Sequence, residues 1–178
     1  MGIVRRIIWG LAALAALVAV PTSTGLAVPR SPAASLSHFE SSVLVDINAF
    51  RAAHGLARLR LSPRLTSAAH AHSQQMAQDG YFAHESADGS AFWKRLLSFY
   101  RASPAHSWAV GENLLWSSSA LNGVRTLGLW LASPPHRRNL LDPRWREIGV
   151  SAVHETRAPG VYHGLDVTIV TTDFGVRR

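Results

Sequence analysis

The stretch Trp130-Leu131-Ala132-Ser133-Pro134-Pro135-His136-Arg137-Arg138-Asn139 reads as the end of one helix, a hard stop and the start of another. Proline is excluded from a helix interior, where it removes a hydrogen bond and collides with the preceding turn, but it suits a first turn. Ser133 is then the N-cap, Pro134 the first helical residue and His136 the third. Pro135 has no N–H, so the Ser133 hydroxyl is expected to cap the His136 amide. This would hold His136 at a helix N-terminus, where the dipole disfavours an imidazolium. A rigid, neutral imidazole suits a metal ligand or a general base.

Working outward, Leu121 to Leu131 is expected to be the helix that stops there, with Val124, Leu127 and Leu131 at helical spacing. Three earlier helices are expected. The first runs from Phe39 to Ala53, carries the stripe Phe39, Val43, Ile47 and Phe50, and ends at Gly55. The second follows Ser62-Pro63, places Leu65, Ala69, His72 and Met76 on one face, and ends at Gly80. The third covers Ser90 to Tyr100. Strand signals come late. Ile148, Val150 and Ala152 alternate with Glu147, Gly149 and Ser151. From Leu165 to Phe174, Leu165, Val167 and Ile169 fall on one face and Val170 and Phe174 on the other, as in a strand covered on both sides. Thr156–Gly160 suits a hairpin-like link, and Ala109 to Leu115 a further short strand. Helices first and an antiparallel sheet late predict an α+β fold.

The chain has 178 residues, enough for one domain with a core, and six tryptophans that should mostly pack inside it. It has no cysteine, which excludes disulfides, thiolate metal sites and a lipid anchor on cysteine. Arg5 and Arg6 precede an apolar run from Ile7 to Val20, and Gly25-Leu26-Ala27 offers small residues for cleavage. Residues 1–27 are therefore read as a cleaved signal peptide rather than an uncleaved anchor, since the run is short for a membrane span. Residues 28–37 read as a linker and 38–178 as the folded domain. An exported protein without cysteine fits a bacterial exterior. The formal charge is +7, and loss of Arg5 and Arg6 lowers it to +5. Seventeen of the eighteen basic residues are arginine. Such a domain can meet anionic wall polymers or lipid headgroups. Nucleic acid is not expected as a partner, because aromatic and basic residues do not interleave. Membrane contact is expected only through the signal segment, and the sequence sets no oligomeric state.

Three segments carry chemistry beyond helix and strand: Gly80-Tyr81-Phe82-Ala83-His84-Glu85-Ser86-Ala87-Asp88-Gly89, Val110-Gly111-Glu112-Asn113-Leu114, and Trp130–Asn139. Together with Ile47-Asn48-Ala49-Phe50-Arg51, Leu59–Leu65, Glu147-Ile148-Gly149-Val150 and Thr172-Asp173-Phe174-Gly175, in this order and at these intervals, they resemble the CAP superfamily of cysteine-rich secretory, antigen 5 and pathogenesis-related proteins. The similarity is greatest to its cysteine-free bacterial branch of SCP-like extracellular proteins, and it spans nearly all of the mature chain.

The resemblance implies an α-β-α sandwich with a central antiparallel sheet and a surface cleft. In that family two histidines and two glutamates line the cleft and can hold a divalent metal. His84 matches the first histidine, Glu112 the first glutamate and His136 the second histidine. The second glutamate's place, three after Trp130, is taken by Ser133. His84, Glu112 and His136 are thus the expected ligands of a divalent metal such as zinc, with open coordination positions. Read as residues alone, each has a plainer alternative: His84 as an exposed loop histidine, Glu112 in a buried salt bridge, and His136 packed on Trp130. His72, on the Leu65–Met76 face, is expected to be a core histidine and His70 a solvated one. Asn113 and Asn139 are expected to pin loops by hydrogen bonds, and Arg137, Arg138, Arg144 and Arg146 could rim the cleft. The function expected is cleft-mediated, metal-assisted binding of a lipid or cell-envelope ligand. Two other classes stay open: a metal-dependent hydrolase, with Glu112 as ligand or base, and a structural module with a vestigial site.

Overall fold

The computed structural model describes residues 36–101 and 108–177. The expected signal peptide, and all but the last two residues of the expected linker, lie outside the described residues. The elements run α1 (His38–Ala53), β1 (Arg60–Leu61), α2 (Pro63–Asp79), α3 (Phe92–Phe99), β2 (Trp108–Ser117), α4 (Gly123–Leu131), α5 (Pro134–Leu140), β3 (Glu147–Glu155) and β4 (Val167–Arg177).

Local sequence explains most of the ends. Ser37 and Glu40 form a reciprocal capping box at α1, so two orphan backbone donors are satisfied at once. Ser62 caps α2 with Pro63 in its first turn, and Gly80 closes it in the left-handed conformation (φ 71°). Asn122 caps α4 two residues later than the helix was expected to begin. Ser133 takes the N-cap position of α5, but its hydroxyl makes no capping bond. The expected Ser133–His136 cap is therefore corrected. Two consecutive prolines fix the backbone of the first turn without it, and the Arg137 N–H closes the turn on the Ser133 carbonyl at 2.9 Å.

The sheet has the strand order β1-β3-β4-β2. The β3–β4 and β4–β2 pairs are antiparallel, as expected. The two-residue β1 pairs in parallel with β3, so the sheet is mixed. Nothing in so short a run marks it as a strand. Helices cover both faces. On one side α1 and α4 enclose Val43, Ile47, Trp130, Val170 and Phe174. On the other, α2 and α3 cover Met76, Leu114, Val167 and Ile169, and Leu65, Leu96 and Tyr100. The two apolar faces read in Leu165–Phe174 thus become the two faces of β4. Leu165 itself is left exposed, before the strand begins. As expected, the described tryptophans are mostly core: Trp130 and Trp145 are buried and Trp108 and Trp116 pack against the core, while Trp93 stands on the surface.

Candidate functional site

Alternation along β2 sets the site. Val110 and Leu114 face the α2 and α3 side, while Ala109 and Leu115 face α1 and α4. Glu112, in phase with Val110 and Leu114, therefore points at α2 and α3, and Asn113 points the other way. Because β2 is an edge strand, elements from both helical layers can meet around it. The loop after α2 brings His84 to one side and α5 brings His136 to the other.

His84 Nδ1 lies 2.8 Å from Glu112 Oε1. The histidine side chain is 47% exposed and the glutamate side chain fully buried. Arg95, from α3, donates from one terminal nitrogen to Glu112 Oε2 at 2.5 Å. Its other terminal nitrogen donates to the His84 carbonyl at 3.2 Å and to Ser86 Oγ at 3.0 Å. Arg95 is 8% exposed, so one buried guanidinium ties the His84 loop to the carboxylate that His84 itself contacts. Glu112 is thus in the buried salt bridge left open as its plainer reading.

Behind the carboxylate lies His72, fully buried, with Nε2 3.0 Å from the Ala83 carbonyl and 4.0 Å from Glu112 Oε2. Burial pushes its pKa down to about 4, against the opposing pull of Glu112. A neutral His72 donates from Nε2 to Ala83, as a satisfied core histidine does. Asp173 is the registered partner of Glu112 on β4. It is buried, and neither of its oxygens has a hydrogen-bond donor among the described residues. Burial first, and then the Glu112 charge, hold its carboxyl protonated well above the usual range. In that form its proton has Glu112 as acceptor.

The electrostatics separate His84 from His136. The Glu112 hydrogen bond raises His84 above the ordinary imidazole range. Burial, and then the nearby His84, lower His136. The two histidines are thus pushed in opposite directions, His84 toward its protonated form and His136 toward its neutral one. The α5 side is pinned as expected. Asn113 Nδ2 donates to the His136 carbonyl at 3.2 Å. Asn139 Nδ2 donates to the Glu112 carbonyl at 3.1 Å and to Asn113 Oδ1 at 2.9 Å. Gly111 leaves room for this: a Cβ there would lie 2.6 Å from Asn139 Oδ1 and 2.8 Å from the Trp145 ring. Of the four arginines that could rim the cleft, Arg144 is paired with Asp142 and Arg146 donates to the carbonyls of residues 143–145.

The structure therefore brings His84 and Glu112 into contact and sets His136 near His84. Among the described residues, no group of three or more His, Asp or Glu side chains is arranged to hold a metal ion. The donor chemistry explains this. Each Glu112 oxygen is engaged, one by His84 and one by the fixed charge of Arg95, and His84 spends Nδ1 on the same carboxylate. As placed, these donors do not fit a divalent ion unless Arg95 gives way. Arg95 and Asp173 were not foreseen from sequence. Nothing marks Arg95 among seventeen arginines, but a lone acid in a strand buried on both faces signals a partner. No serine or threonine hydroxyl among the described residues is hydrogen-bonded to His84 or His136, so no nucleophile–base pair is assembled.

The sequence matches the CAP family, described as the cysteine-rich secretory protein family, over residues 44–170. It is 30% identical over 145 residues to the uncharacterized protein YkwD of Bacillus subtilis, covering 80% of this chain and 51% of that protein. It is 30% identical over 115 residues to the uncharacterized membrane protein YlbC of the same organism, covering 62% and 30%. The chain thus spans about half, or less, of the length of these curated relatives. Among solved structures, an extracellular protein of Bacillus anthracis containing an SCP domain superposes with a TM-score of 0.59 at 27% identity, covering 76% of this chain and 39% of that one. An outer surface protein of Borrelia burgdorferi shares the fold at 19% identity, with a TM-score of 0.60 over 76% of this chain and 90% of that one. Family match, curated relatives and architecture agree: this chain belongs to the CAP family and has the α+β fold of its bacterial SCP domains.

Proposed function

We propose that this is an exported envelope protein whose cleft binds an acidic group carried by a lipid or wall component. One observation carries the reading: a half-exposed His84 bonds the buried Glu112 at 2.8 Å, which favours its protonated form, and lies near His136. A charge so fixed costs little reorganisation when a ligand arrives. The basic balance of the chain favours an anionic partner. Export is supported by the extracellular and outer-surface descriptions of two structural neighbours. It is also supported by the N-terminal basic and apolar pattern. No helix among the described residues is long and apolar enough to cross a membrane. Binding is favoured over metal-dependent hydrolysis because Glu112, the ligand or base of that reading, has both oxygens engaged by His84 and Arg95. A metal enters this reading only as a competitor of Arg95 for Glu112.

The test uses vesicles with and without phosphatidylglycerol, isolated wall sacculi, and wild type against His84→Ala. Binding to one anionic material that His84→Ala weakens by about tenfold is the expected result. Equal binding of wild type and His84→Ala would remove the cleft from the function.

A further inference from the structure

Arg95 also lines a groove of about 700 Å³ between the outer face of α2 and the Ser86–Ser90 turn. Ala71, Gln74, Gln75 and Gln78 line it at i, i+3, i+4 and i+7, the stripe of α2 that faces away from the core. Asp79, Asp88 and Lys94 complete the polar wall. In a chain so rich in arginine, this face presents three uncharged amides, and its one arginine is already spent on Glu112.

We propose that this groove binds a glycan whose rings carry acetamido and hydroxyl groups. This goes beyond the acidic-group reading of the cleft and depends on it only for the cell-envelope setting.

The lining decides the ligand class. A lipid tail would strip water from amides and carboxylates and return no hydrogen bonds. A polyanion would meet Asp79 and Asp88, which offset Lys94 and Arg95. Sugar hydroxyls and acetamido groups need donors and acceptors side by side, and each glutamine amide supplies both. Several of these groups are already fixed. Tyr81 donates its hydroxyl proton to Gln75 Oε1 at 3.0 Å, which leaves the Gln75 NH₂ free to donate. Arg95 holds Ser86 Oγ, and the Ser90 N–H holds Asp88 Oδ1 at 2.9 Å. Such order lowers the cost of binding. Trp93, which does not itself line the groove, is the exposed aromatic that Lys94 links to it. Trp93 is 41% exposed, and the ammonium of Lys94, which lines the groove, lies 5.7 Å from its ring centroid. A large exposed indole beside a polar groove is the kind of departure from burial that marks a binding surface.

The test titrates the chain with tetra-N-acetylchitotetraose, read by tryptophan fluorescence and amide NMR shifts. Cellotetraose, which lacks the acetamido groups, is the control. Gln78→Ala and Trp93→Ala alter exposed side chains, so both variants keep the wild-type melting temperature. Each is expected to weaken chitotetraose binding by about tenfold, and His84→Ala to leave it unchanged. Cellotetraose should bind more weakly than chitotetraose. Absence of any chitotetraose response overturns the proposal, whatever the cleft binds. Binding lost in His84→Ala but kept in Gln78→Ala and Trp93→Ala also overturns it, by placing the sugar in the cleft and leaving the envelope reading intact.

Discussion

Glu112 and Asp173 face each other as registered partners across β2 and β4, two buried carboxyls served by one guanidinium. Asp173 is fully buried and has no donor among the described residues, so burial and the Glu112 charge make it the carboxyl that holds its proton. The His84–Glu112 pair thus rests on a buried acid that is neutral at the pH where surface aspartates are charged.

Asp173→Asn should therefore stabilise the protein at neutral pH. The folded pKa of Asp173 is raised, so its contribution to stability is fully present below the unfolded value of 3.8 and is lost as pH rises. Asparagine does not titrate and can donate to Glu112. Urea unfolding at pH 4 should find the two proteins nearly equal. At pH 7 the variant should be more stable by about 1–3 kcal/mol, the cost of an unsatisfied buried polar group. A gap that does not change with pH would mean that Asp173 is ionised in the fold.

His72 predicts the opposite slope. Its folded pKa of about 4 lies below the ordinary 6.5, so the unfolded chain binds the proton first. Stability contributed by the neutral, buried ring is complete above 6.5 and is lost as pH falls toward 4. At about 1.4 kcal/mol per unit, the loss approaches about 3 kcal/mol. His72→Gln can still donate to Ala83 but cannot titrate. Unfolding of the two proteins across pH 4–7 should show a steeper acid loss for the wild type. Parallel curves would refute a neutral, buried His72.

The second helix was legible in sequence because its caps, Ser62 with Pro63 and Gly80, each act within one turn, and the first because its apolar stripe is local, although its cap residue Ser37 reads as linker. The two faces of β4 were legible because alternation survives burial on both sides. What escaped is non-local. β1 is two residues long and exists only through its pairing with β3. Arg95 meets Glu112 across seventeen residues, and Asp173 meets it through strand register alone. His84 and Glu112 were found through the family resemblance, since charge and spacing do not single out these two residues. The Ser133 cap failed because the prolines it was meant to assist already fix that turn.

Asn139 is expected to matter more than its half-exposed position suggests. Its side chain donates to the Glu112 carbonyl and Asn113 Oδ1 and accepts from the Trp145 indole N–H at 3.1 Å. Asn139→Ala takes a donor from the Glu112 carbonyl and from Asn113 Oδ1 and opens space beside Gly111, while the Trp145 indole N–H keeps the Asn139 backbone carbonyl at 3.0 Å. A loss of about 2–3 kcal/mol follows if one or two partners stay dry. The NMR signals of His136 should move as well, because Asn113, which holds the His136 carbonyl, loses its own anchor. A full loss of stability with His136 unmoved would detach this network from the cleft.

The last prediction sets Arg95 against a metal. The guanidinium takes one Glu112 oxygen at 2.5 Å and offers the carboxylate the positive charge that a zinc ion would. A divalent ion bound by His84, Glu112 and His136 must displace it and leave a buried, unpaired cation. Arg95→Met removes the competitor while keeping the apolar stem. Zinc titration by calorimetry should show weak binding to wild type and binding at least tenfold tighter in Arg95→Met, with the gain abolished in the Arg95→Met, His136→Ala double variant. Affinity should fall as pH drops through the raised pKa of His84, and so already above the ordinary 6.5, because both imidazoles must be neutral to bind. Ser133→Glu places a further carboxylate three residues before His136 and should tighten binding in either background. If wild type binds zinc as tightly as Arg95→Met does, Arg95 does not guard the carboxylate. If His136→Ala leaves the acquired site intact, His136 is not one of its ligands.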